Sequence, residues 1–139
     1  MRFTPQLLPS RKGALGIFEL NNPRPLHALS LEMIHAMTDV WNGWQGINNK
    51  AILLKSSPDT KIPAFCAGGD VKACWKAGHD GTSDDHGFGK RGVPTADFFR
   101  DEYTLNYKIA TNTDVPQVSL WNGLVMGGGA GISVHGKYR

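Results

Sequence analysis

No run of roughly 18 apolar residues occurs anywhere in the 139-residue chain, so the sequence contains no helix able to cross a membrane. Cysteine is nearly absent: Cys66 and Cys74 are the only two. Two thiols so close together do not make the framework of a secreted disulfide scaffold, and a reducing compartment is the expectation. Charge of one sign is also missing. Fifteen Lys and Arg stand against twelve Asp and Glu, a net of +3, and the basic residues are scattered. That excludes the basic stripe of a nucleic-acid-binding protein while tolerating an anionic ligand. The first residues lack the apolar core of a secretory signal. No acid precedes Glu19, and Arg2, Ser10, Arg11 and Lys12 fit organelle targeting, but Pro5 and Pro9 break the segment.

What is present is a globular composition. Apolar residues are 40%, and 17 glycines and 8 prolines give heavy turn content. The length suits one domain or a piece of a larger one. Such a chain buries roughly two-thirds of its unfolded surface, enough for a core without staples.

Residues 14–20 read as a strand, and Asn21-Asn22-Pro23-Arg24-Pro25 as a turn or extended loop. Ser30 is a good N-cap for a helix over 31–44, with Leu31, Ile34, Met37, Trp41 and Trp44 on one face. Residues 51–54 form a short apolar run suited to a buried strand. Residues 65–70 lead into a short helix over 71–77. The glycine-rich stretch that follows, about 78–94, reads as a mobile surface loop. Thr95 is placed to cap a helix running to Thr111. A strand at 118–121, the Asn122-Gly123 turn, an extended 124–126, a glycine turn at 127–129 and a helix over 130–135 complete the chain. Alternation of strands and helices predicts an α/β fold with parallel pairing.

Two glycine turns carry the chemistry. In each, an extended segment ends in glycines and a helix follows. Amides at a helix start have no partner inside the helix, and glycine lets a ligand approach them closely. Gly69 and Gly128 are thus candidates to present two N–H groups to one oxygen as it gains negative charge. Ordinary strand-to-helix turns explain the spacing equally simply.

The residues also resemble a known family. Phe65-Cys66-Ala67-Gly68-Gly69-Asp70 and Asn122-Gly123-Leu124-Val125-Met126-Gly127-Gly128-Gly129-Ala130-Gly131 are similar to the two signature segments of the crotonase (enoyl-CoA hydratase/isomerase) superfamily. Residues 21–29 resemble its N-terminal segment, whose backbone lies near the CoA moiety. The resemblance covers residues 13–139 and implies a crotonase (ClpP-like) fold of repeated ββα units. Within the superfamily, Phe98-Phe99-Arg100-Asp101-Glu102-Tyr103-Thr104-Leu105-Asn106 and residues 129–136 resemble the 3-hydroxyisobutyryl-CoA hydrolase branch. That branch implies thioester hydrolysis in valine breakdown, in mitochondria, with acyl-CoA as substrate and no metal or redox cofactor. By the same resemblance Gly69 and Gly128 form the oxyanion hole, while Leu26, Ala28, Asp70, Glu102 and Gly128 contact substrate. An α/β domain ending at Arg139 would expose a strand edge and apolar helix faces, so a homo-oligomer is also expected.

There are departures. Asn22 stands where the family usually has arginine, and His27 where it has asparagine. Hydratases of this kind carry a catalytic glutamate where Gly131 stands, which argues against hydration. The hydrolase carboxylates are expected after a strand that Lys137-Tyr138-Arg139 would begin, so the sequence reads as the front part of a longer crotonase. A non-catalytic CoA-binding or oligomer-forming fragment is the third reading.

Other readings are weaker. Residues 131–137 match the glycine and lysine spacing of a phosphate loop, but Tyr138 replaces its hydroxyl. Residues 127–131 lack the third glycine of the dinucleotide fingerprint. Cys66, Cys74, His79 and His86 have no paired zinc-ligand spacing. Cys66 reads as a small buried residue rather than a nucleophile, and His35 as a solvated side chain on the polar side of its helix.

Overall fold

Alternation sets the sheet. In strand β2 (Leu15–Leu20) Gly16, Phe18 and Leu20 are buried, and in β3 (Ala51–Ser56) Ile52, Leu54 and Ser56 are. The two strands run parallel with Phe18 beside Leu54, so the buried positions share one face. Helix α1 (Leu31–Gly43) covers that face with Met33, Ile34, Ala36, Met37, Val40 and Trp41. Ser30 caps it as expected, its Oγ accepting from the Met33 amide at 3.2 Å and donating to Gln6 Oε1 at 2.6 Å. Phe18 is the centre of the contact. Its ring stacks on Trp41 at 6.3 Å and tilts against Trp44 at 4.6 Å. Gly16 has no side chain for a steric reason: a Cβ there would lie 2.7 Å from the Trp44 ring.

The computed structural model describes residues 4–44, 47–79, 94–112 and 114–139. The remaining elements are β1 (Leu7–Lys12), β4 (Ala64–Cys66), α2 (Val71–His79), α3 (Pro94–Thr111), β5 (Gln117–Ser119), β6 (Leu124–Val125) and α4 (Gly128–Val134). The order β1-β2-α1, β3-β4-α2, then α3 and β5-β6-α4, repeats a ββα unit, as the resemblance implied. One sheet has the order β1-β2-β3-β5, and β4 pairs with β6 in a second. All pairs are parallel except β1 with β2. Tyr138 makes an isolated parallel bridge to Val118, in line with the strand expected to begin there.

Several local expectations need correction. Strand β1 had no sequence signal, because five of its six residues are half-exposed or exposed in a row and Pro9 interrupts it; an edge strand accommodates a proline that an inner one would not. Helix α2 continues to His79, two residues into the expected loop. Of that loop, residues 80–93 lie outside the described residues. Helix α3 opens on Pro94, where a missing N–H costs nothing. Thr95 therefore lies inside the helix, and its Oγ1 donates to the Cys74 carbonyl at 3.2 Å instead of capping. Helix α4 starts at Gly128, two residues earlier than the pattern suggested.

Two substitutions weigh these contributions. Ser30→Ala should destabilise the chain by about 1 kcal/mol through loss of the cap. Leu54→Ala, emptying a fully buried site between sheet and helix, should cost about 3 kcal/mol. Urea unfolding followed by circular dichroism measures both, and equal losses would contradict this ranking.

Candidate active site

The site begins with three apolar residues. Ala64, Phe65 and Cys66 of β4 are fully buried. β4 runs parallel to β6, with Ala64 beside Leu124 and Cys66 beside Val125. Parallel neighbours end on the same edge of a sheet, and such carboxyl ends are where α/β folds present ligand sites. Both glycine turns consequently leave on one side.

The turns demand glycine for identifiable reasons. Gly68 (φ 108°) and Gly127 (φ 45°) lie in the left-handed region. Gly129 packs onto β4, where a Cβ would come 2.7 Å from Cys66. Gly69 forms a parallel bridge with Leu29: the Leu29 amide donates to Gly68 O at 2.7 Å, and the Asp70 amide to Leu29 O at 2.9 Å. In that pattern the Gly69 amide points away from Leu29. Gly128 is the first residue of α4, so its amide has no partner within the helix.

A cleft of about 480 Å³ joins both turns to α3. Its lining includes Gly69, Gly128, Gly131, Phe98, Glu102 and Asn106. The arrangement has a simple register. Phe98, Glu102 and Asn106 are spaced four apart and form one stripe of α3. A Cβ on Gly69 would strike the Phe98 ring at 2.8 Å, one on Gly128 would collide with Glu102 Oε1, and one on Gly131 with the Asn106 amide nitrogen. Three glycines thus face three successive turns of one helix.

Glu102 is only 5% exposed, and no hydrogen bond or ion pair to it occurs among the described residues. Burial pushes its carboxyl above the ordinary carboxylate range. Glu102 thus lies buried in the cleft lining and not in solvent. Its face also carries Phe98, Leu105 and Ile109, all buried, and that spacing was the available signal. Asn106, one turn further on and 8% exposed, had no place among the candidates. Its Oδ1 is buried without a partner among the described residues.

Other candidates fall outside the cleft lining. Leu26 and Ala28 lie in the loop alongside: Leu26 O accepts from the Ala67 amide at 2.9 Å, and Ala28 O from Asn22 Nδ2 at 3.1 Å. Leu26 and His27 both have left-handed backbone, φ 53° and 59°. The fully buried His27 ring braces them, with Nδ1 accepting from the Asn22 amide at 3.1 Å and Nε2 donating to Ser57 O at 3.0 Å. Burial lowers its pKa and favours that neutral form. Asp70 caps α2, its Oδ1 accepting from the Ala73 amide at 3.0 Å.

Cys66 is the buried structural residue it was expected to be. Its thiol donates to His27 O at 3.1 Å, and burial pushes its pKa up to about 12, too high for a thiolate nucleophile at neutral pH. No group of three His, Cys, Asp or Glu able to hold a metal occurs among the described residues. His35 is not simply solvated: its Nε2 lies 2.7 Å from Asp101 Oδ2, which ties α1 to α3.

Known proteins resemble this chain in sequence and fold. The chain is 38% identical to a probable 3-hydroxyisobutyryl-CoA hydrolase 3 of Arabidopsis thaliana, over 96% of this chain and 32% of that protein. It is 38% identical to the mitochondrial 3-hydroxyisobutyryl-CoA hydrolase of Rattus norvegicus, over 98% of this chain and 32% of that protein. The chain thus spans about a third of the length of these curated relatives. Among solved structures, a carnitinyl-CoA dehydratase from Mycobacterium thermoresistibile superposes with a TM-score of 0.82 at 30% identity, covering 98% of this chain and 36% of that one. An enoyl-CoA hydratase from Rhodobacter sphaeroides gives 0.77 at 30% identity, covering 96% and 36%. With residues 15–139 matching the enoyl-CoA hydratase/isomerase family and the ββα units superposing on its solved members, the chain belongs to that family and has the crotonase fold.

Proposed function

We propose that the protein hydrolyses an acyl-CoA thioester, with 3-hydroxyisobutyryl-CoA as substrate. The observation that carries this reading is the opening of two glycine bends, from adjacent parallel strands, into one cleft beneath a buried carboxyl group. In the reading, the Gly69 and Gly128 amides donate to the thioester carbonyl oxygen. As water adds to the carbonyl carbon, negative charge collects on that oxygen, and one such donor contributes roughly 3 kcal/mol in the transition state. The adduct then collapses, breaking the carbon–sulfur bond, and water's proton leaves with the sulfur as the CoA thiol while the acid is released. Glu102 stands over Gly128 beside the acyl group, and the backbone at Leu26 and Ala28 borders the CoA moiety. Asp70, at the α2 cap, lies next to Gly69 and completes that wall.

Hydrolysis is preferred to hydration because position 131 carries no side chain. A glycine there has no carboxylate to move a proton to or from an enoyl chain. The names of several relatives extend the proposal to mitochondria, and the family resemblance extends it to the breakdown of valine. Acyl-CoA enters as substrate, and the reaction as proposed draws on no metal or redox cofactor. Exposed apolar groups outside the cleft, such as Ile62, Trp75 and Tyr107, favour a homo-oligomer.

Two measurements test the site. Gly128→Val places a branched side chain against Glu102 and within reach of Leu29, whose Cδ1 would lie 3.1 Å from the new Cβ. Helical backbone at 128 tolerates valine, so the fold should survive while 3-hydroxyisobutyryl-CoA affinity, followed by calorimetry, falls at least tenfold. Unchanged affinity in a folded variant rejects the placement of the carbonyl.

The second concerns pH. The folded state raises the Glu102 pKa, so it binds that proton more tightly than the unfolded chain does. The stabilising contribution is complete below the ordinary carboxyl value and is lost as pH climbs through the raised one. Glu102→Gln should match the wild-type melting temperature near pH 4 and exceed it by a few degrees at pH 8. A variant that melts lower than wild type at pH 8 would mean that the carboxylate is stabilised in place.

A further inference from the structure

We infer that Asn106 determines acyl specificity, its side-chain carbonyl accepting a hydrogen bond from a hydroxyl on the acyl chain. The inference rests on the acyl-CoA reading of the cleft and adds to it the residue that distinguishes a hydroxyacyl group from a plain one.

Four observations converge on this residue. Asn106 is more than nine-tenths buried, and it lines the same cleft as Gly69 and Gly128. Its Oδ1 has no hydrogen-bond partner among the described residues. Buried acceptors are nearly always paired, so an unpaired one on a residue that lines a cleft points to a donor brought by the ligand. The amide of Asn106 also takes up space that a side chain at position 131 would need, since a Cβ on Gly131 would run into it. The glycine that removes a hydratase carboxylate therefore makes room for a neutral amide in its place.

Position supports an acyl hydroxyl in particular. Gly131 follows Gly128 by three residues on α4, a rise of about 4.5 Å. A ligand whose carbonyl oxygen sits at the Gly128 amide therefore reaches Asn106 a few bonds further along its acyl chain, where a hydroxyl on the third carbon lies. Met126 and Phe98 add apolar surface to the same cleft for the carbon skeleton, with Glu102 one turn of α3 from Asn106. A hydroxyl donates to Oδ1. A methyl in its place leaves the acceptor buried and unpaired, and sites built around a ligand hydroxyl reject analogues that lack it.

The test compares 3-hydroxyisobutyryl-CoA with isobutyryl-CoA, which differ by one oxygen, by isothermal titration of the full chain. Wild type should bind the hydroxylated thioester about tenfold more tightly, the scale of one net hydrogen bond. Asn106→Leu should bring that ratio close to one while changing isobutyryl-CoA affinity much less. Should Asn106→Leu lose its cooperative melt, Asn106→Ala supplies the same ratio. Equal affinities in wild type, or a ratio that survives both substitutions, overturns the assignment of Asn106 and leaves the acyl-CoA cleft standing. Failure of both thioesters to bind wild type rejects the cleft itself, and the inference with it.

Discussion

The parallel pairing of β4 with β6 is the constraint on which the site depends. The two strands are short, three residues and two, yet they place the bends at Gly68-Gly69 and Gly127-Gly128 on a common edge. Antiparallel pairing would send the two bends to opposite ends of the sheet. What holds the pair is close packing more than strand length. Ala64, Phe65 and Cys66 admit no water, the Met126 amide donates to Cys66 O at 3.0 Å, and Gly129 rests on the Cys66 side chain. A larger residue at 129 would lift α4 away from β4 and move the Gly128 amide with it.

Helix α3 supplies the other wall, and distant contacts set its position. His35 on α1 meets Asp101, and Lys108 donates to Asn42 at 2.9 Å, so two links separated by almost two turns clamp α3 against α1. Leu105 and Ile109 bury themselves in the shared core. The clamp fixes the height at which Phe98, Glu102 and Asn106 meet their three glycines. Two buried polar groups on that stripe disfavour folding, and the apolar residues beside them offset the cost. Stability given up at such positions is common where a cleft must bind a polar ligand.

Much of this was legible in the sequence. Ser30 with the spacing of Ile34, Met37 and Trp41 identified α1, and the strand-like segment 14–20 with the short apolar run at 51–54 identified the central strands. The glycine signatures located both bends and, through resemblance, the ββα repeat and the family. Strand β1 was not legible, because its pairing is made by backbone groups and its residues face mainly solvent. Glu102 was named through the family resemblance alone, because a lone acid on a helix is usually exposed and only the spacing of Leu105 and Ile109 beside it hints at burial. Asn106 passed unnoticed for a related reason: an asparagine within a helix gives no local sign of whether its amide meets water or a cavity.

Local chemistry in the chain was enough to decide where backbone turns and where helices start. Glycine at 68, 69, 127 and 128 permits conformations and close approaches that side chains forbid, and that permission is written residue by residue. Which amides face the same space, which carboxyl is dry and which acceptor lacks a donor were decided only by tertiary packing. Those properties belong to pairs of residues far apart in the chain, Gly128 with Glu102 and Gly131 with Asn106, and burial exists only once the elements carrying them have come together.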